Sequence, residues 1–156
     1  MTIATTLTRA LTENGTHYDL LPHPRTGSSH ETAQAAHVPD DHMAKAVLLA
    51  DTKGYLMVVL PGDQWVNLDW VNKELNRDFD LAMEDELDNL FSDCEPGAIP
   101  PLGGLYGIDT VMDEGLTSLS RVYIESGDHE QLIQLDGDQF RQLMRGVRHG
   151  HFGQVH

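Results

Sequence analysis

A chain of 156 residues has the length of one domain with one core. Forty per cent apolar residues in periodic segments argue against disorder, and no apolar run approaches the ~20 residues needed to span a bilayer. Twenty-five acids against ten Lys and Arg give a net charge of −15, which excludes a broadly basic protein that wraps a duplex through many phosphate contacts.

Ile3, Leu7, Ala10 and Leu11 follow the helical period and Gly15 stands at a C-terminal stop, so residues 2–14 read as an amphipathic helix. His17–Leu21 reads as a short strand, and the Pro/Gly/Ser stretch behind it as a loop. Ser28 with Glu31 forms a capping-box pattern that opens a short helix through Ala36. Lys45–Asp51 and Tyr55–Pro61 are apolar runs around Thr52-Lys53-Gly54, the composition of a hairpin with a three-residue loop. Neither run alternates with polar residues, so both strands are expected to be buried on two faces.

Helices follow over 68–76 and 84–92, with a short strand at Phe79–Ala82 between them. The stretch Glu95–Gly107 is a Gly- and Pro-rich loop. Ile108–Met112, Arg121–Glu125 and Glu130–Leu135 read as strands, and Phe140, Leu143, Met144 and Val147 give a final helix its apolar face. Residues 148–156 are expected to be a loose tail; His149–His156 has no periodicity, and its deletion is expected to leave the melting temperature nearly unchanged. The expected architecture is a single α+β domain over residues 1–147, with a mixed or mainly antiparallel sheet flanked by helices.

The acidity is uneven, with eight acids and no base between Asp78 and Glu95. Such a run is either a solvated face or a repulsive surface that leaves polyanions one orientation of approach. Cys94 has only acids near it in sequence, which disfavours its thiolate, and a single cysteine together with an N-terminus lacking basic and apolar export regions points to a reducing cytoplasm. Nine histidines lack any ligand framework, so no metal or other cofactor is expected.

Only three lysines occur, and one, Lys45, stands at the start of a buried strand. It is either the solvent-facing end of that strand or a cation at the rim of a pocket for an anion or a developing oxyanion. The run Gly97-Ala98-Ile99-Pro100-Pro101 makes a stiff loop that presents backbone to a ligand, or an ordinary rigid turn. His129, at a strand junction, lines a pocket or fills a polar turn.

Lys45-Ala-Val-Leu-Leu, the Gly97-x-x-x-Pro101 loop and the Gly127-Asp-His129 turn, in this order and spacing, resemble the YbaK/EbsC family, whose domain is also inserted in bacterial prolyl-tRNA synthetases. The resemblance covers about residues 15–147. It implies a freestanding aminoacyl-tRNA deacylase that hydrolyses the ester of a mischarged tRNA. Lys45 would anchor the 3′-terminal nucleotide, and Gly97 and Pro101 would bracket a loop orienting the carbonyl and the attacking water. Ala98, Ile99, Pro100 and His129 would then line the substrate pocket. The implied partner is the acceptor end of an aminoacyl-tRNA, with no DNA and no membrane, and with a synthetase or an elongation factor as further candidates. A non-catalytic module of the same fold that binds a small anionic or aminoacyl-like ligand is the alternative this reading leaves open.

Overall fold

In the computed structural model, which describes residues 4–26, 29–95 and 97–155, β2 (Met43–Asp51) and β3 (Gly54–Pro61) form the antiparallel hairpin at the centre. The two faces of β3 divide its side chains with a period of two. Met57 and Val59 join one cluster, with Phe91 and Phe140, while Leu56, Val58 and Leu60 join another, with Val71, Phe79 and Phe152. The hairpin loop is one residue shorter than its composition predicts. Asp51 Oδ1 accepts from the N–H groups of Lys53 and Gly54 at 2.8 and 3.0 Å, which closes the turn over two residues. Gly54, at φ 146°, thereby becomes the first residue of β3.

Around this pair the sheet is mixed, and eight strands belong to it among the described residues. β7 (Arg121–Glu125) lies parallel to β2, and β6 (Asp109–Asp113) parallel to β3. β8 (Gln131–Asp136) and β1 (Asp19–Pro22) extend the β7 side antiparallel, while β9 (Arg148–Gly150) extends the β6 side parallel. The eighth strand, β5 (Asp80–Leu81), pairs with β2 through Leu49 and Ala50.

Helix α1 (Thr5–Glu13) buries Leu7, Ala10 and Leu11 on one face, as its period predicts. It is tied down by Thr6 N–H on Asp93 Oδ2 (2.9 Å) and by Ala4 N–H on the Ser126 carbonyl (2.8 Å). Helix α2 covers Ser29–Ala36; the capping box expected at Ser28 falls outside the described residues. Helix α3 (Leu68–Leu75) is capped by the Asn67 side chain, which accepts from Trp70 N–H, and stops at Asn76 in the left-handed region at φ 53°. Beyond it the Arg77 guanidinium grips Asp51 with two bonds and lies 4.4 Å over the Phe79 ring. Helix α4 covers Glu84–Leu90 and α5 covers Gly137–Leu143, the latter shorter than expected because the chain turns at Gly146 (φ 83°) to reach β9.

The expected loose tail is corrected by the structure. Residues 148–150 form β9, and Gly153–Val155 form β10, which pairs antiparallel with β4 (Gln64–Val66). Between them Phe152 is 0% exposed, in the cluster with Leu60 and Val111. Its N–H donates to Asp113 Oδ1 (2.9 Å), and its carbonyl accepts from Asn67 N–H (2.8 Å). One apolar residue between two glycines carries no period, so the sequence pattern hides a segment that is anchored by a residue 39 positions away.

Candidate active site

The parallel contact of β7 with β2 covers only Met43 and Ala44, and β5 joins the same edge at Leu49. Leu48 accepts there from Ala82 N–H (3.0 Å), and among the described residues the intervening stretch, 45–47, has no strand partner on that edge. The sheet therefore forks there, and a cavity of about 100 Å³ occupies the fork. Lys45 and Ala46 of β2, Gly97 and Ile99 of the loop, Phe91 and Glu125 are among its walls.

The loop is fixed through the turn after β7. Glu95 N–H donates to the Gly127 carbonyl (2.8 Å), and Gly127 N–H donates to the Ala98 carbonyl (2.9 Å). Gly127 (φ 101°) has to be glycine, since a Cβ would stand 2.6 Å from the Ala4 Cβ. Asp128 organises the turn by accepting from Ser126 Oγ, Glu130 N–H and both the backbone and side-chain amides of Gln131. Burial works against its charge, yet these bonds outweigh it and hold the carboxyl below its ordinary range.

Of the residues singled out from sequence, Lys45, Gly97 and Ile99 meet in the cavity. Ala98, Pro100 and Pro101 are buried behind its wall. Gly97, at φ 82°, is the exposed turn of the loop. His129 is buried in the adjoining turn, where its N–H donates to Glu95 Oε2 (3.1 Å), and Glu95 is ion-paired with Arg25 at 2.6 Å. The half-buried Lys45 sends its ammonium to within 3.5 Å of the Gly62 carbonyl, a distance at the limit of a hydrogen bond, so the cation is only loosely held. Burial lowers its pKa, while Asp63 and Asp40 favour the charged form.

One wall residue escaped the sequence reading. Glu125 is 2% exposed, and among the described residues neither carboxyl oxygen has a hydrogen-bond partner. Burial, reinforced by the Asp128 charge, pushes its pKa up to about 8. In sequence it is an ordinary acid at a strand end, and nothing local marks it. Cys94 is the other chemical group nearby, and burial together with Asp93 pushes its thiol up to about 12, which removes it as a nucleophile near neutral pH. A larger cavity of about 530 Å³ lies elsewhere, but it is open, and Arg77 and Arg148 in its walls are already paired with Asp51 and Glu74. Among the described residues no group of three or more His, Cys, Asp or Glu could hold a metal ion, and no helix is long and apolar enough to cross a membrane.

The model of the aminoacyl-tRNA editing domain matches residues 23–143. The chain belongs to that family. As an editing domain it has its fold in common with solved structures of low sequence identity. A hypothetical protein is 21% identical with a TM-score of 0.83, over 96% of this chain and 99% of the other. A proposed trans-editing enzyme for prolyl tRNA synthetase is 21% identical with a TM-score of 0.81, over 97% and 96%. A scaffold protein for presenting linear epitopes is 19% identical with a TM-score of 0.83, over 98% and 97%. No curated protein matches the sequence.

Proposed function

We propose that this editing domain is a freestanding deacylase that acts in trans on mischarged tRNA and hydrolyses the ester between the amino acid and the 3′-terminal ribose. The observation that carries the reading is the cavity at the sheet fork, which collects Lys45 and the Gly97 loop in a chain of the editing family. The structural similarity to a proposed trans-editing enzyme for prolyl tRNA synthetase is consistent with action in trans.

An ester requires no strong nucleophile from the protein, which suits a cavity with no cysteine, serine or threonine among its described lining residues. Water adds to the acyl carbon, the bond to the ribose oxygen breaks, and that oxygen takes up a proton. Positioning and charge supply the acceleration. Lys45 anchors the anionic terminal nucleotide, and the backbone of residues 97–101 orients the carbonyl and the water. A cavity of about 150 Å³ admits benzene, so one of about 100 Å³ suits an acyl group with a small side chain. Such amino acids are the ones synthetases misload, because a missing methylene is worth only about 1–3 kcal/mol. Contact confined to the acceptor end is compatible with a net charge of −15, and it makes the salt dependence of tRNA binding shallow.

The test is a panel of mischarged tRNAs incubated with the protein, counting which ester is lost. Loss of a small aminoacyl ester is the expected result. Stability of every ester together with measurable binding of an aminoacyl end would replace hydrolysis by the binding-module reading.

A further inference from the structure

We propose that Glu125 is a specificity residue, whose carboxylate receives the α-ammonium of the acyl group. The inference rests on the ester-hydrolysis reading of the same cavity and adds a recognition role within it. Three observations carry it: Glu125 lines the cavity, it is 2% exposed, and both its oxygens lack partners among the described residues. A buried acid left without partners is costly, and a ligand that brings a cationic donor relieves that cost.

The surrounding charges leave this vacancy to the ligand. Lys45 shares the cavity, but its ammonium lies 3.5 Å from the Gly62 carbonyl, and the charges of Asp63 and Asp40 already favour its cationic form. Asp128, on the next turn, is satisfied by its own four donors and only adds negative potential. The remaining side chains of the cavity walls, including Leu48, Met57, Leu87 and Phe91, are apolar and carry no charge to pair with an ammonium. An aminoacyl ester has complementary features: a small apolar side chain, an ammonium beside the carbonyl, and a phosphate beyond the ribose. Glu125 is held protonated before binding by its burial and by Asp128. That proton passes to bulk water as the amine, already protonated, seats against the carboxylate. An acyl group without the amine leaves the acid unpaired and is bound less well, which is discrimination by an unsatisfied partner.

The experiment compares alanyl-tRNA with its 2-hydroxypropanoyl counterpart, using the full chain and Glu125→Gln. Wild type should favour the alanyl ester about ten- to hundred-fold in kcat/KM, the range of one charge-assisted contact. Glu125→Gln should erase that preference, chiefly by raising KM for the alanyl ester. Hydrolysis by wild type with the preference intact in Glu125→Gln overturns the proposal while the deacylase reading stands. A second measurement is independent of turnover and of the variant's folding. The carboxyl 13C signal of Glu125 is followed in wild type while 3′-alanylamino-3′-deoxyadenosine, or its 2-hydroxy counterpart, is added. Ionisation with the amine alone supports the proposal even if no ester is hydrolysed; equal or absent responses overturn it.

Discussion

Phe152→Ala tests the C-terminal strap. The ring is 0% exposed in the cluster with Leu60, Val71 and Val111, and its backbone is held by Asp113 on one side and Asn67 on the other. Truncating a fully buried phenylalanine costs about 3–5 kcal/mol. In a domain of this size each kcal/mol corresponds to about 2–4 °C, so melting should fall by roughly 6–20 °C. Chemical denaturation with an unchanged m-value gives the free energy directly. Val155→Ser is the control, since Val155 is 68% exposed and should stay within about 0.5 kcal/mol. A loss of less than about 1 kcal/mol for Phe152→Ala would refute the reasoning and restore the loose tail expected from the sequence.

Lys45→Ala should slow deacylation about ten- to hundred-fold, as expected for loss of a charge-assisted contact, with little change in unfolding; Lys53→Ala, in the exposed hairpin turn, should match wild type in the same assay. Gly97→Ala should reduce kcat/KM as well, because φ 82° strains any residue with a Cβ. The native state keeps a proton on Glu125 from its ordinary 4.5 up to about 8, over a range where the unfolded chain has released it, so stability must fall as pH rises through that interval. Across it wild type should lose up to about 5 kcal/mol that Glu125→Gln retains; parallel denaturation profiles would refute the burial argument. Asp51 behaves oppositely, since the Arg77 guanidinium and the turn amides hold its carboxyl at about 2. Its stabilisation is full above the ordinary 3.8 and is lost as pH falls toward 2, so wild type and Arg77→Ala should converge in acid apart from the constant loss of the Phe79 contact.

The parts of the fold that were legible are those where local pattern and tertiary burial agree. The runs 46–50 and 55–61 are apolar without interruption, and in the second Met57 and Val59 face one cluster while Leu56, Val58 and Leu60 face the other. α1 reveals itself through Leu7, Ala10 and Leu11. The three-residue strands were not legible, because β4, β9 and β10 owe their existence to partners far away in sequence. At the site, Lys45 and the Gly97 loop stand out by rarity and composition. Glu125 does not, because what makes it unusual is the absence of partners around a buried carboxyl, a property of the fork and not of the residue.

The fork also sets when the site can exist. Its walls come from β2, from Met57, from Leu87 and Phe91, from Gly97 and Ile99 and from Glu125, and the register that defines it, Ala44 beside Ile124, joins segments eighty residues apart. Parallel pairing across such a separation requires a large loop to close before any contact rewards it, which places this domain among slow folders. During synthesis the β2–β3 hairpin emerges long before β7, so the cavity has no counterpart in the nascent chain. Until then the open edge of β2 is an unpaired strand, exposed to the wrong partners. The same gap in hydrogen bonding that becomes the pocket of the finished protein is thus a hazard while the protein is being made.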